Sequence, residues 1–153
     1  MAHLKDIPIR PQTSVRNLEC PTFERTNFVA GPTLKNRRIA VVSTAGLHRR
    51  EDNRFSLGAT DFRVIPKDTS PSDILMSHIS INYDRTGFLQ DINTILPLDR
   101  LQELETAGEI GSVSANHYSF MGATDPANMQ PAAAQVAGML KADQVDAVLL
   151  VPV

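Results

Sequence analysis

The sequence predicts an α/β protein with a mainly parallel, Rossmann-like sheet, flanking helices, and a sheet that is incomplete at its C-terminus. Two observations lead to this prediction. Short apolar runs alternate along the chain with amphipathic segments of helical period, which is the pattern of βαβ crossovers. The most apolar run, 145–151, has no covering helix after it. Because a strand buried on both faces normally leads into such a helix, we expect further polypeptide to complete the sheet.

The composition indicates one globular domain preceded by an arm. The 153 residues are 42% hydrophobic and 21% charged, with a formal net charge of −2 at pH 7. Prolines interrupt helices and remove backbone donors, and four of them precede residue 37. We therefore expect residues 1–37 to form an extended, basic, proline-containing arm and residues 38–153 to form the α/β domain. The arm is expected to lie on its own acidic body or on a partner subunit.

Several classes of protein are disfavoured by the same sequence. No apolar run approaches the roughly 20 residues of a membrane helix, and the N-terminus lacks a signal peptide, so we expect a cytoplasmic protein with no membrane partner. The basic residues of the arm are neither clustered nor interleaved with aromatic residues, so we expect no nucleic-acid partner. Cys20 is the only cysteine; it excludes an internal disulfide and, beside Pro21, is expected to be an unreactive thiol.

Four apolar runs predict strands. Residues 39–42 and 145–151 are almost continuously apolar, which suits strands buried on both faces of a sheet. Residues 62–65 form a short run stopped by Pro66, and residues 110–115 form another of small and β-branched side chains. In a sheet of this type, ligands bind outside the carboxyl ends of the strands.

Three segments predict helices. Residues 72–76 follow serines that can cap a helix. Residues 97–105 carry leucines at three-residue intervals on one face and are closed by Gly108. Residues 126–143 form the longest helical pattern and carry an apolar stripe.

Candidate site residues follow the predicted strands. The proposed substrate-binding residues are Ser43, Thr44, Gly46, Asn116 and Gly122. The proposed catalytic residues are His48, His78 and His117, because imidazole titrates near neutrality; a hydrogen-bonded structural role is the alternative for each. Their spacing matches no compact metal motif, so we expect no metal. Three further polar residues, Asp84, Asp91 and Asn93, are expected to cap helices or order loops.

An ordered set of segments resembles one known family. Residues 39–48, 52–55 and 117–122 resemble the selenoprotein B subunits of D-proline, glycine, sarcosine and betaine reductases. Shorter matches lie at 61–66, 77–78, 83–84, 91–93 and 96–101, and the resemblance covers about residues 36–153. In this family, the strand similar to residues 145–153 runs directly into a selenocysteine, followed by two residues and a cysteine.

The resemblance implies a function for the intact protein. It implies a reductase subunit that cleaves the C–N bond of an amino acid such as D-proline or glycine. The selenolate attacks the carbon α to the carboxylate, and in the D-proline enzyme a pyruvoyl group on a partner subunit activates the nitrogen. No cofactor is expected within this chain. Selenocysteine is expected just after Val153, encoded by a UGA codon that was read as a stop, so the 153-residue form is expected to be inactive.

The resemblance also implies partners and leaves alternatives. A small amino-acid substrate, other reductase subunits and a homo-oligomer are expected. The alternative is a non-catalytic α/β protein that binds a small acid or a partner subunit. A cofactor-free racemase or lyase that uses histidine and aspartate is a weaker alternative, since no paired acid/base motif occurs.

Overall fold

The computed structural model describes residues 4–6, 8–17, 19, 22, 29–80 and 85–153, which form a mixed α/β fold. The strands are β1 Arg38–Ser43, β2 Leu47–Arg49, β3 Phe62–Pro66, β4 Ile74–Met76, β5 Ser112–Val113, β6 Asn116–Phe120 and β7 Ala147–Val151. The α-helices of the described residues are α1 Ile9–Arg16, α2 Thr86–Gln90, α3 Leu98–Thr106 and α4 Gln130–Ala142.

Strand β1 is the centre of the main sheet. It pairs in parallel with β7 along one edge, and with β5 and β6 along the other. Strand β6 also pairs with β3, in antiparallel register. The predicted α/β class is confirmed, and the sheet is mixed.

The strand predicted at 62–65 is confirmed as β3, and its antiparallel direction makes the sheet mixed. A parallel neighbour requires a crossover that carries the chain back to the other edge of the sheet. Phe62 at the start of β3 pairs with Phe120 at the end of β6. The chain between β1 and β3 therefore stays at the end of the sheet where β1 finishes. Strand β3 starts from that end and runs in the direction opposite to β1.

The helix predicted at 72–76 is wrong. Residues Pro71–Asp73 form a 3₁₀ turn, and Ile74–Met76 form β4, which pairs antiparallel with β2. Pairing with β2 gives the backbone of Ile74–Met76 its hydrogen bonds across the sheet instead of along a helix. The helices predicted at 97–105 and 126–143 are confirmed as α3 and α4, the latter preceded by a 3₁₀ turn at Pro126–Met129.

The expectation of an extended arm is wrong for Ile9–Arg16, which form α1. The helix begins with the Gln12 N–H donating to the Pro8 carbonyl oxygen at 3.0 Å. Pro11 lies in the first turn, where backbone N–H groups have no intrahelical partner, so its missing donor costs little.

The core lies on both faces of the main sheet. On one face Ile39 and Val41 pack with Leu101 of α3, and on the other Tyr118 and Phe120 pack with Val136 of α4. The predicted flanking helices are therefore present. Among the described residues, no helix has the length and apolar character needed to cross a membrane.

Strand β7 lies at the edge of the sheet, although the sequence predicts an interior position. Its one partner strand among the described residues is β1. Val148, Leu149 and Leu150 are 39%, 41% and 69% exposed. Within the described residues, the most apolar strand of the chain thus has an unpaired edge and exposed side chains.

Candidate functional site

The carboxyl ends of β1 and β7 lie side by side, and four of the predicted residues gather there. These residues, Ser43, Thr44, Gly46 and Gly122, are called the strand-end cluster below. The pairing of β1 with β7 ends at Ser43 opposite Val151. The residues that the sequence predicts to bind substrate after β1 therefore lie at the carboxyl ends of β1 and β7.

Thr44 and Gly122 surround the backbone of Val153. The Val153 N–H donates to Thr44 Oγ1 at 2.8 Å, and the Gly122 N–H donates to the Thr44 carbonyl oxygen at 2.9 Å. A Cβ atom on Gly122 would lie 2.7 Å from that carbonyl oxygen and 2.8 Å from the Val153 oxygen. The three segments therefore meet so closely that only glycine fits at position 122.

The buried hydroxyls of Ser43 and Ser119 hold the turn after β1. The Ala45 N–H donates to Ser43 Oγ at 3.2 Å, and the Leu47 N–H donates to Ser119 Oγ at 2.8 Å. Both serines are fully buried, so they support the site rather than face a ligand. Ser119 is absent from the predicted set, because a lone serine in a strand gives no sequence signal.

Gly46 brings His78 to the strand-end cluster. Gly46 has a φ of +65°, and a Cβ atom there would lie 3.0 Å from the His78 backbone nitrogen. His78 is buried, and its Nδ1 accepts from the Ser80 N–H at 3.2 Å, which places the proton of the neutral ring on Nε2. Burial, and secondarily the Arg85 guanidinium, lower the pKa of His78. The ring is therefore held neutral with Nε2 protonated.

His48 has the opposite tautomer. It lies in β2, is 2% exposed, and its Nδ1 is 2.8 Å from the Arg49 carbonyl oxygen. Because a carbonyl oxygen can only accept, Nδ1 carries the proton and Nε2 has the lone pair in the neutral ring. His48 can thus accept a hydrogen bond or a proton at Nε2, while His78 can donate a hydrogen bond from Nε2.

His117 is built into the sheet. It is fully buried in β6, and its Nδ1 accepts from the Val41 N–H at 3.0 Å. Burial lowers its pKa from 6.5 to about 4. Its Nε2 has no hydrogen-bond partner among the described residues. This geometry favours the structural alternative for His117.

Asn116 lies away from the strand-end cluster. The strand predicted at 110–115 is limited to Ser112–Val113, and Asn116 begins β6 rather than following a strand. Its carbonyl oxygen accepts from Ser114 Oγ at 2.8 Å, and it pairs with Pro66. Asn116 is separated from the strand-end cluster because two residues interrupt one strand and split it into β5 and β6. Composition does not reveal this interruption.

The capping role expected for Asp91 and Asn93 is confirmed. Asp91 Oδ1 accepts from the Asn93 N–H at 2.9 Å, which caps a 3₁₀ turn, and the hydrogen bonds from Asn93 lower the pKa of Asp91. Asp84 and Cys20 lie outside the described residues. No group of three metal-ligating side chains occurs in the part of the chain that the structure describes.

The fold and site define a mixed α/β protein with a polar cluster at the carboxyl ends of adjacent parallel strands. Residues 12–153 match the family described as glycine/sarcosine/betaine reductase selenoprotein B. The chain belongs to this family.

Two curated relatives carry named functions. One is the D-proline reductase subunit gamma of Acetoanaerobium sticklandii, 37% identical over 120 residues, which are 76% of this chain and 49% of the relative. The other is the glycine reductase complex component B subunit gamma of Carboxydothermus hydrogenoformans, 30% identical over 152 residues, with 93% of this chain and 34% of the relative covered. The chain thus spans half or less of each relative's length. No solved structure matches it.

Proposed function

We propose that the chain is part of a selenocysteine-dependent reductase subunit that cleaves the C–N bond of a small amino acid such as D-proline or glycine. The observation that carries the proposal is the gathering of Thr44 and Gly122 around Val153. The family and the named relatives support the reaction class. In the full-length subunit, the selenocysteine follows Val153. It therefore lies just beyond the end of β7, beside the strand-end cluster.

The residues of this chain fit such a nucleophile. A selenolate at this place supplies an anion that attacks the carbon α to a carboxylate and displaces nitrogen, by the same logic as an activated thiolate. A thiol then attacks selenium, which releases the carbon with a proton and leaves a Se–S bond, and the dithiol reduces that bond with its two electrons. The neutral His78, with its proton on Nε2, donates a hydrogen bond to the departing nitrogen. His48, with its lone pair on Nε2, accepts the proton of the selenol, which generates the selenolate, and then returns that proton to the departing nitrogen. Gly46 and Gly122 shape the floor under the substrate, and Ser43 holds the turn beneath it. Asn116 and His117 support the sheet.

The names of the two relatives support a partner-dependent enzyme. Both relatives are named as subunits, and one is named as part of a complex. Within the described residues, the unpaired edge of β7 and its exposed apolar side chains form a surface that the rest of the subunit or a partner subunit would cover. The chain assembles with other reductase subunits and with copies of itself, and a D-proline-type enzyme carries its pyruvoyl group on one of those other subunits.

The test compares two forms of the protein with partner subunits, a dithiol and each candidate amino acid. The 153-residue form should show no turnover, because its only cysteine is Cys20. The full-length subunit with selenocysteine after Val153 should be active, and cysteine there should be less effective. Loss of a covalent nucleophile costs on the order of 10⁶-fold in rate. Appreciable turnover by the short form, retained after Cys20→Ser, contradicts the proposal.

The histidine roles have their own test in the active full-length subunit. His48→Ala and His78→Ala should each lower kcat by about 10²–10⁴-fold, the first by loss of a proton carrier and the second by loss of a hydrogen-bond donor. His117→Ala should act mainly by destabilising the fold. The activity that this variant loses should therefore match the fraction of protein that is unfolded. Equal kcat values for wild type and both His48→Ala and His78→Ala contradict the assigned roles.

A second candidate function, binding of a partner subunit without catalysis, rests on the exposed edge of β7. The exposed edge fits a non-catalytic protein that binds a partner subunit. Sequencing the gene beyond the Val153 codon separates the two: UGA followed by an open frame supports the reductase, whereas UAA or UAG with no coding potential beyond supports the binding protein.

A further inference from the structure

The polar groups of Thr44 are directed at the backbone around the end of β7. Its N–H donates to the Val151 carbonyl oxygen at 3.1 Å, and its carbonyl oxygen accepts from the Gly122 N–H. Its hydroxyl accepts from the Val153 N–H at 2.8 Å and lies 3.4 Å from the Val153 carbonyl oxygen. The side chain therefore binds main-chain atoms of this chain, which distinguishes it from a side chain that faces substrate.

The bond from Val153 to Thr44 replaces the sheet ladder where the ladder stops. Regular pairing with β1 ends at Val151, and Pro152 has no N–H to donate. Among the described residues, Thr44 Oγ1 is the acceptor recorded for the next backbone donor, that of Val153. The hydroxyl thus determines the direction in which the backbone leaves the sheet.

Gly122 restricts the position of the Val153 backbone by approaching it closely. A Cβ atom at position 122 would lie 3.1 Å from the Thr44 Cβ as well as 2.8 Å from the Val153 oxygen. The Val153 peptide is therefore held between a hydroxyl that binds it and a backbone that closely approaches it. Such contacts fix a peptide more tightly than a strand end at solvent.

We propose that Thr44 is a positioning residue, whose hydroxyl orients the reactive residue after Val153 by holding the Val153 peptide. The inference rests on the proposed function and revises the substrate-binding role expected for Thr44. Misplacement of a reacting group by about 1 Å can cost about 10²-fold in rate. A single hydroxyl that holds the peptide one residue before the nucleophile can therefore control the rate at which the nucleophile reacts.

The experiment uses the full-length subunit with its native residue after Val153. Thr44→Val keeps the shape of the side chain and removes the hydroxyl, whereas Thr44→Ser keeps the hydroxyl. The matched control is Thr124→Val, which removes another threonine hydroxyl bonded to backbone, here to the Ala59 carbonyl oxygen at 2.7 Å. Each variant is compared with wild type for amide exchange at Val153 and for turnover.

A third readout follows the nucleophile directly. Bromoacetate carries a leaving group on the carbon α to a carboxylate, so alkylation forms a Se–C bond and releases bromide without a redox step. We expect Thr44→Val to speed amide exchange at Val153 about tenfold, as loss of one hydrogen bond predicts, and to slow alkylation and turnover by about 10–100-fold. Thr44→Ser should stay within about threefold of wild type, and Thr124→Val should change none of the three.

The outcomes separate the two proposals. An active wild type whose Thr44→Val variant keeps its alkylation and turnover rates overturns the positioning role alone. A wild type without turnover, whose nucleophile still alkylates in a Thr44-dependent manner, overturns the proposed reaction alone. Equal losses in Thr44→Val and Thr124→Val, with no rescue by Thr44→Ser, show a general structural effect and also overturn the positioning role.

Discussion

At the scale of single residues, His117 performs a task that normally belongs to the backbone. Residues 114–117 stand opposite only Ala40 and Val41, because the strand carries two extra residues between β5 and β6. The Val41 N–H would lack a carbonyl partner there, and a buried orphan donor is costly. The imidazole Nδ1 supplies the missing acceptor. The ring can do so only while Nδ1 is unprotonated.

This arrangement predicts acid sensitivity. The pKa of His117 is lowered from 6.5 to about 4 by burial, which outweighs the opposite effect of Asp143, while Lys67 lowers it further. The unfolded chain therefore binds the proton more readily, so this contribution to stability is complete above pH 6.5 and decreases as the pH falls towards 4. The loss should be about 3 kcal/mol. Denaturant unfolding between pH 4 and 7.5 measures it.

The control for this prediction is His117→Gln, whose amide oxygen can accept from Val41 but does not titrate. His78 also has a lowered pKa and contributes a loss in the same direction. The difference between wild type and the variant isolates His117. Equal pH dependence in the two proteins contradicts the prediction.

Gly122 carries the second prediction at this scale. Gly122→Ala should destabilise the protein by about 1–3 kcal/mol, since the new methyl group meets two backbone oxygens within 2.8 Å. Gly138→Ala is the matched control: a Cβ atom there has open space within α4, so it should stabilise by about 0.5–1 kcal/mol. Thermal unfolding of both variants measures the contrast, and similar shifts in Tm would refute it.

At this scale, sequence reasoning predicted which of the candidate residues lie together, while their roles stay predictions. Thr44, Gly46 and Gly122 were found because polar and small residues after a strand must lie at its carboxyl end. The role of His117 could not be found, since its acceptor function depends on a donor 76 residues away and on an interruption of the strand.

At the scale of elements, Asp143 joins the end of α4 to two strands. Its carboxylate accepts from the Arg38 guanidinium and the Ser114 hydroxyl, both at 2.6 Å, and from the Ala115 N–H at 3.1 Å. The Ser114 hydrogen bond and the Arg38 guanidinium lower the pKa of Asp143. One side chain thus anchors α4 to β1 and to the interruption between β5 and β6.

Asp143→Asn should therefore destabilise the protein by about 1–3 kcal/mol, because an amide offers one acceptor atom where the carboxylate has two. Asp73→Asn is the control. Asp73 pairs with Arg50 at 3.7 Å, and both side chains are more than half exposed, so its loss should be below about 1 kcal/mol. Urea unfolding at pH 7 compares them, and equal losses would contradict the anchoring role.

The elements that the sequence predicted correctly are the long or strongly patterned ones. The apolar run of β1 and the leucine spacing of α3 contain their own signals. Strands β2 and β4 have three residues each and become strands only by pairing with each other. Such short segments depend on tertiary contacts, so local patterns could not identify them.

At the scale of the whole molecule, the edge strand β7 governs association. Leu150 is 69% exposed beside an unpaired strand edge. We expect the 153-residue chain to associate at high micromolar concentration, because such edges pair with other chains. Leu150→Lys should shift it to the monomer, whereas Leu57→Lys, at an 86% exposed turn position, should not. Light scattering measures the mass, and a stable wild-type monomer contradicts the prediction.

The central position of β1 has a consequence for synthesis on the ribosome. Its first partner in chain order is Ser112 of β5, roughly seventy residues after β1 has been made. At about 5–20 residues per second, β1 waits on the order of 4–15 s for that partner. During this interval its buried residues Ile39, Ala40 and Val41 are exposed in the nascent chain. Chaperones that bind short apolar segments therefore have their best target in β1, and slowing translation between β1 and β5 should increase aggregation of the newly made protein.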